Sequence, residues 1–247
     1  MAINIQDYTE KPDRITLVLV DADVIAYRAA AANEDKTERE AKNTADNIVQ
    51  FIIDETVIFP FPSNFKLFLT GKDNFRLKVE KDYKANRSGV PKPKHLSAVR
   101  QYLQDAFGAE VVDGMEADDR IATEATSHAD PESTVIASID KDFKTVNCWH
   151  FNFVSNKWLY QTEAEAFKFF YTQVLTGDAV DNIKGLYKVG PVTADKILKG
   201  ETTELGLFKK ALAAYEERGY TVNDLTKTAQ LVHLQRYGGQ MWQPPKE

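Results

Sequence analysis

Acidic side chains occur in four tight clusters along the chain, and their type and spacing suit metal binding. The densest cluster is at residues 114–119, where Glu116, Asp118 and Asp119 lie within four residues. Two like charges about 4 Å apart repel by about 4 kcal/mol at an effective dielectric constant of about 20, so such a group needs a cation to hold it together. Carboxylate oxygens prefer hard cations, and the clusters therefore predict a Mg²⁺ or Mn²⁺ site. The other three clusters are Asp21/Asp23, Asp140/Asp142 and Asp178/Asp181.

Helix-start chemistry is the alternative explanation for these residues. Acidic side chains are stabilised at the positive end of a helix dipole, which alone would account for the cluster at 114–119. For Asp23 the sequence favours a capping role at the start of the helix that follows Asp21, rather than a role as a metal ligand.

The surrounding elements predict an α/β fold with a central, mostly parallel sheet flanked by helices. Strands buried on both faces are predicted at residues 15–20, 65–70, 109–112 and 134–139, because these runs are apolar and rich in β-branched residues. Asp21 and Asp140 follow two of these strands directly, where α/β folds place their active sites. Arg28 lies two helical turns after Asp21 and should face the same cleft. Helices are predicted at 38–58 (ended by Pro60, Pro62 and Ser63), 96–107, 120–128, 162–175 and twice within 205–237, with a hairpin at 151–160 on the sheet edge.

A basic segment at residues 72–94 contrasts with the net charge of −6, because it carries eight basic side chains and three acidic ones. Its glycine and prolines predict a mobile, solvent-facing loop or arch. Tyr83 could stack on a base there while Lys84 and Arg87 hold the phosphate backbone. Lys84 and Arg28 would also offset negative charge on a scissile phosphate. The alternative is an ordinary basic surface loop.

A glycine-bounded turn follows the helix predicted at 162–175. Asp178 and Asp181 are one helical turn apart, so their carboxylates could point in one direction. Gly185 and Gly190 flank a tight loop, and Pro191 suits the first position of a new helix. The N–H groups at that helix start would form a phosphate site.

The composition excludes several classes of protein. The chain is 43% hydrophobic and 28% charged, which is typical of a globular protein. No apolar run reaches the length of a membrane span, and the first residues do not have the pattern of a signal peptide. Cys148 is the single cysteine, so no intrachain disulfide or cysteine-based zinc cluster can form. We therefore expect a cytoplasmic protein with a polar arm at 1–14, an α/β domain at 15–175 and a helical region at 176–247.

Taken in order, these motifs resemble those of the flap endonuclease and 5′→3′ exonuclease family. The replication-associated 5′→3′ exonucleases of short-tailed bacteriophages are the most similar group. The resemblance runs from Leu17 to about Tyr237, and it rests on the segments 19–21, 83–87, 116–119, 140–144 and 177–182. The loop at 185–190, followed by Thr193 and Ala194, is similar to the helix–three-turn–helix of that family.

This resemblance implies a PIN-like fold and a metal-dependent nuclease that cuts phosphodiesters near a 5′ end. The implied substrates are duplex, nicked or flapped DNA and RNA/DNA hybrids, during phage replication in the host cytoplasm, with no membrane and no obligate protein partner. Lys84 and Arg28 would be the catalytic cations. Two divalent ions would be bound by Asp21, Glu116, Asp118, Asp119, Asp140, Asp142, Asp178 and Asp181. DNA contacts are implied for Tyr83, Arg87, Gly185, Lys188, Gly190, Thr193 and Lys196, with a monovalent cation at the helix–three-turn–helix.

The chain departs from the family pattern in three places. The family usually has one more metal-binding aspartate just after the second strand, where this chain has Thr70 and Gly71. The nearest carboxylate in sequence is Asp73, so either Asp73 substitutes or that metal site is weaker. Lys188 replaces a common glycine. The stretch between Tyr83 and Leu96 is short, which argues against an arch wide enough to thread a single strand.

Two rival functions fit part of the sequence. A phosphatase of the haloacid-dehalogenase type would use Asp21 and Asp23 after one strand and Thr70 after another. It fails because Gly177 and Asp178 follow a helical pattern where that class of enzyme needs a strand. The second rival is a catalytically weak, structure-specific DNA-binding protein, which the missing aspartate favours and which a cleavage assay with Mg²⁺ would distinguish.

Overall fold

A computed structural model describes residues 10–57 and 64–246 of the chain. Most of the arm predicted at 1–14 lies outside these residues. So do Ile58, the last residue of the predicted helix 38–58, and the helix stop predicted at Pro60, Pro62 and Ser63. Among the helices of the described ranges, none has both the length and the apolar character needed to cross a bilayer.

A six-stranded sheet forms the centre of the fold and confirms the predicted α/β class. Its strands lie in the order β3-β2-β1-β4-β5-β6, and β6 is the one that pairs antiparallel to its neighbour. The predicted edge hairpin is therefore confirmed. The strands are β1 (Leu17–Asp21), β2 (Asn64–Thr70), β3 (Glu110–Val112), β4 (Thr134–Ala137), β5 (Cys148–Asn152) and β6 (Lys157–Gln161).

Helices cover both faces of this sheet because β1 is apolar on both sides. Val18 and Val20 face one core, whereas Leu17 and Leu19 face another. The first core is completed by α1 (Ala22–Ala31), α2 (Glu38–Thr56) and α4 (Leu96–Phe107), and the second by α5 (Ala117–Ser127). The short helix α3 (Arg76–Val79) lies within the basic segment.

The remaining helices form a region with its own apolar core. Its elements are α6 (Glu163–Thr176), the two-stranded hairpin of β7 (Gly177–Asp178) and β8 (Ile183–Lys184), α7 (Pro191–Leu198), α8 (Glu204–Glu216) and α9 (Val222–Val232). Phe170, Tyr171, Val174 and Leu175 of α6 belong to this core, although α6 lies before the boundary predicted near residue 175. Two expectations were wrong in detail. Asp178 and Asp181 lie on a β-hairpin rather than a helical turn, and α9 ends five residues before Tyr237.

Candidate active site

A cavity of about 780 Å³ opens where β1, β2 and β4 end and the helical region begins. Strand ends meet the starts of α1 and α5 here, and the β7-β8 hairpin closes the opposite side. The structure brings seven of the eight predicted metal ligands to this cavity, all except Asp119. They are Asp21, Glu116, Asp118, Asp140, Asp142, Asp178 and Asp181. Arg28 and Lys84, for which catalytic roles are predicted, also line it, as do Tyr83 and Arg87, two of the predicted DNA contacts.

Asp21 is the most deeply placed of these carboxylates, with 2% of its surface exposed. It forms the N-cap of α1 by accepting a hydrogen bond from the Val24 N–H at 3.2 Å. The Ser138 hydroxyl donates to its other oxygen at 2.8 Å. The preference for Asp23 as this cap was therefore wrong. Burial raises the pKa of Asp21 to about 7, and the neighbouring Asp23 charge adds to the effect.

Asp118 and Asp142 both experience repulsion from neighbouring carboxylates. Burial raises the pKa of Asp118 well above its usual range, and the charges of Asp21 and Glu116 raise it further. Burial, followed by the charge of Asp140, raises the pKa of Asp142 to about 6. Like charges held together out of water disfavour ionisation, so positive charge placed nearby would stabilise the ionised carboxylates of this site.

Lysine side chains supply part of that positive charge. Lys84 forms an ion pair with Glu116 and lies 3.6 Å from Asp181, and Lys141 pairs with Asp178 and lies 3.4 Å from Asp142. Burial opposes ionisation of Glu116, but the charges of Lys84 and Arg76 together with the hydrogen bonds from Lys84 and Tyr83 lower the pKa of this carboxyl below its usual value. The chain's own cations thus bind several of the oxygens that were predicted to bind metal.

The donor set fits hard divalent cations. In the part of the chain that the structure describes, no three His, Cys, Asp or Glu side chains already converge as a metal site. However, the donors at the cavity are carboxylate oxygens, which Mg²⁺ and Mn²⁺ prefer, and several have raised pKa values because they are buried beside other carboxylates. Asp21, Asp118, Asp140 and Asp142 would form the centre of such a site.

Asp119 is placed differently from the other predicted ligands. It is fully buried and receives two hydrogen bonds from the Arg76 guanidinium, at 2.6 and 2.9 Å. It also accepts from the backbone N–H groups of Gln235 at 3.0 Å and Glu116 at 3.2 Å, the latter as part of a capping box at the start of α5. The helix-start explanation thus accounts for Asp119.

Arg76 is the most unexpected residue of the basic segment, because it is 1% exposed rather than solvent-facing. Besides pairing with Asp119, it donates to the backbone carbonyls of Leu231 and His233, each at 2.8 Å. Burial alone would lower the pKa of Arg76, but the charge and hydrogen bonds of Asp119, together with the nearby Tyr83 and Glu116, raise it above its ordinary value. The sequence carried no signal that separated Arg76 from the exposed cations around it.

The basic segment is docked rather than free. The Lys84 N–H donates to the Asp181 carbonyl at 3.0 Å, and the Asn86 amide donates to the carbonyls of Ala179 and Val180 at 3.1 Å. The Asn182 amide in turn donates to the Asp82 carbonyl at 2.7 Å. Residues 82–87 and the β7-β8 hairpin therefore form one side of the cavity together.

The two tyrosines at the cavity have different environments. The Tyr83 ring is 5% exposed, and its hydroxyl donates to Glu116 at 2.9 Å and to Asp181 at 3.1 Å. Its stacking role stays a prediction, and in this conformation the ring holds two carboxylates instead. Tyr27, which the sequence reasoning missed, is 50% exposed and lies beside Arg28 on α1. Its position six residues after Asp21 was the signal available.

The five remaining predicted DNA contacts lie outside the cavity, between β8 and the end of α7. Gly190 is the N-cap of α7 and Pro191 follows it, as predicted. Lys188 is exposed with its ammonium 5.1 Å from the centre of the Tyr187 ring, and Lys196 is exposed on α7. Thr193 is part-exposed on the first turn of α7. Gly185 has a packing role, since an added Cβ would lie 2.1 Å from the Thr176 carbonyl carbon.

Comparison with known proteins places this architecture in a family. Residues 16–172 match the model of the 5′-3′ exonuclease N-terminal, resolvase-like domain. The chain belongs to the 5′-3′ exonuclease family. That membership argues against the haloacid-dehalogenase alternative.

Curated relatives of the family match part of the chain. The flap endonuclease Xni of Shewanella putrefaciens is 31% identical over 160 residues, which cover 60% of this chain and 61% of the relative. DNA polymerase I of Pseudomonas aeruginosa is 30% identical over 205 residues, or 74% of this chain and 22% of the polymerase. The chain thus spans about three fifths of the length of the Xni relatives that it matches.

Solved structures with the same fold include two proteins in complex with DNA. The bacteriophage T5 flap endonuclease, crystallised with DNA and metal ions, has a TM-score of 0.63 at 19% identity, with 89% of each chain covered. The catalytic core of Rad2 in complex with DNA substrate has a TM-score of 0.51 at 17% identity, covering 83% of this chain and 66% of that one. At these identities the likeness concerns the fold.

Proposed function

We propose that this chain is a metal-dependent 5′→3′ exonuclease of the flap-endonuclease type. It hydrolyses phosphodiesters of duplex, nicked or flapped DNA, or of RNA/DNA hybrids, starting from the 5′ end. Its setting is phage replication in the host cytoplasm, and it needs no obligate protein partner. The observation that carries the proposal is the convergence of seven carboxylates with Lys84 and Arg28 in one open cavity.

The proposed cofactors are two Mg²⁺ or Mn²⁺ ions. When bound, such ions supply a hydroxide nucleophile and stabilise the attacking and leaving oxygens of an in-line phosphoryl displacement. The carboxylates at the ends of β1 and β4 and at the start of α5 hold them. The T5 flap endonuclease and the T5 5′-exonuclease were crystallised with metal ions, which supports a divalent cofactor.

Two cations of this chain act on the scissile phosphate. Lys84 is fixed beside the carboxylates by Glu116 and by its backbone bond to Asp181, so its ammonium lies close to the reacting phosphate. Arg28 is exposed on α1 and faces the same cavity from the other side. A preorganised positive charge at this place stabilises the charge that develops in the transition state.

The helical region, residues 176–247, binds the DNA duplex. The N-terminus of α7 presents backbone N–H groups next to the exposed Lys188 and Lys196, a combination suited to phosphates. This helix–three-turn–helix, with a bound monovalent cation, would hold the duplex while its 5′ end reaches the cavity. Tyr83 and Arg87 would meet the DNA after the docked segment 82–87 moves.

Cleavage of labelled substrates tests the proposal. Duplex, nicked, flapped and RNA/DNA hybrid substrates carrying 5′ or 3′ labels are incubated with the protein and Mg²⁺, with EDTA in parallel. We expect Mg²⁺-dependent release from 5′ ends that leaves 5′-phosphates, and Asp140→Asn should abolish it. Release from the 3′ end first would contradict the polarity. Tight binding without cleavage would favour the DNA-binding alternative.

A further inference from the structure

Asp23 is a carboxylate of the cavity that the proposed ligand set leaves out. It lies on the first turn of α1, two residues after Asp21, and its side chain is 29% exposed. One oxygen accepts a hydrogen bond from the Thr70 N–H at 2.7 Å, and the other is bound by Arg100 of α4. Asp23 is thus held across the end of β2 rather than used as a helix cap.

Thr70 connects this carboxylate to the other acidic elements. While its N–H donates to Asp23, its hydroxyl accepts from the Ala117 N–H at 2.9 Å, at the start of α5. Thr70 therefore has Asp23 on one side and the helix start that carries Asp118 on the other. The end of β2 joins two acidic helix starts, and a carboxylate placed there lies within the same electrostatic field as Asp21.

We propose that Asp23 supplies a further carboxylate to the divalent-cation site, held at the end of β2 by the Thr70 N–H, with Arg100 as a counter-charge that competes with the metal. This inference rests on the proposed function, since it adds a ligand to the same site. Asp23 would thereby place a carboxylate at the end of the second strand, where this chain has Thr70 and Gly71 instead of an aspartate. Asp73, the nearest in sequence, is exposed with a φ of 63° and does not line the cavity.

Arg100 has a defined part in this arrangement. It donates to the Thr70 carbonyl as well as to Asp23, so it offsets the charge of this carboxylate while metal is absent. Two roles are possible for Asp23: partner of Arg100 only, or ligand of the metal. They predict different effects of the Arg100 substitution on metal binding. If the ion pair is the whole function, then removing either partner has the same effect on metal binding. If Asp23 is a ligand, then removing Arg100 removes a competing positive charge.

Mn²⁺ binding to the full chain without DNA separates these cases, with free Mn²⁺ followed by electron paramagnetic resonance. The variants are Asp23→Asn, Arg100→Gln and, as the matched control, Asp73→Asn. We expect Asp23→Asn to weaken Mn²⁺ affinity by about tenfold or more, a typical loss for a residue that supports a metal. Arg100→Gln should leave the affinity unchanged or raise it, and Asp73→Asn should leave it unchanged. Thermal unfolding without metal verifies that each variant is folded.

Asp140→Asn distinguishes failure of the inference from failure of the site. If Asp140→Asn weakens Mn²⁺ binding while Asp23→Asn does not, the role of Asp23 is overturned and the site stands. Equal losses in Asp23→Asn and Arg100→Gln would also overturn it, because they indicate a purely structural ion pair. If the wild type binds no Mn²⁺, both the inference and the proposed metal site fail.

Discussion

Replacing Asp119 by Asn should destabilise the protein rather than only inactivate it. The substitution keeps the shape of the side chain but removes the charge that balances Arg76, and both residues are almost completely buried. It also turns one acceptor oxygen into an NH₂ group facing the guanidinium. Arg76 would then be a buried cation bound to the carbonyls of Leu231 and His233 and without its main counter-charge.

The expected loss of stability is large. Removing one partner of a buried ion pair costs about 3–5 kcal/mol, because the remaining charge stays desolvated. For a chain of this size, about 1 kcal/mol corresponds to about 2–4 °C in Tm, so the predicted decrease is roughly 6–20 °C. The backbone N–H of Gln235 also loses a charged acceptor, which adds to the effect.

The assay is urea and thermal unfolding of the metal-free protein at pH 8, followed by circular dichroism. Asp118→Asn is the matched control, since it makes the same change one residue earlier in the same helical turn. Asp118 has a raised pKa, so at pH 8 its ionised form costs the folded state free energy. Its replacement should leave stability unchanged or increase it. If Asp119→Asn unfolds within about 1 kcal/mol of wild type and instead loses Mn²⁺ binding, Asp119 is a ligand and the structural role is wrong.

Three further predictions follow from the site. The pKa of Asp21 is raised from 3.8 to about 7 by folding, so metal-free wild type should lose stability relative to Asp21→Asn as the pH rises from about 4 to about 7. Lys84→Ala should lower the single-turnover rate at saturating DNA, whereas the double variant of Lys188→Ala and Lys196→Ala should weaken binding and reduce its salt slope by about 0.9 per lost phosphate contact. Tyr27→Leu should weaken DNA binding by about 1–3 kcal/mol if its exposed ring stacks on a base, and Tyr27→Phe should not.

Each of these has a contrary outcome. If the stability difference between wild type and Asp21→Asn does not change with pH, then folding does not raise the pKa of Asp21. The assigned roles are wrong if the double variant of Lys188 and Lys196 binds DNA normally while Lys84→Ala loses only affinity. Lys84 would then serve binding rather than the chemical step. Equal losses for the two Tyr27 variants would assign the effect to the hydroxyl group.

The sheet and most helices followed from the sequence because their signals are local. The apolar run before Asp21 and the helical period of Leu96–Phe107 each need only neighbouring residues to be interpreted. The acidic clusters were recognisable because their members are neighbours in the sequence. Their convergence was predictable because parallel strands bring the residues at their ends to one edge of the sheet. Seven of eight predicted ligands accordingly meet in one cavity.

What the sequence could not supply are contacts between residues far apart in the chain. Asp119 differs locally from Asp118 by its capping-box position, but the contact that buries it is with Arg76, 43 positions earlier in the chain. The β-hairpin that carries Asp178 was equally hidden, because the close approach of Gly177 and Gly185 matters only once the two strands pair. Asp23 was assigned as a cap because its partners Thr70 and Arg100 lie 47 and 77 positions away.

The placement of Arg76 has a consequence for the order in which the protein matures during synthesis. Its guanidinium is covered by the carbonyls of Leu231 and His233, and Asp119 beneath it is bound by the N–H of Gln235. Until residues 231–235 have left the ribosome, the Arg76–Asp119 pair at the base of the acidic cavity therefore lacks these three backbone hydrogen-bond partners. A nascent or interrupted chain can form the sheet early but cannot complete this base. The activity proposed for the chain would then appear only after residues 231–235 have been synthesised, so fragments that end before them would not cut nucleic acid.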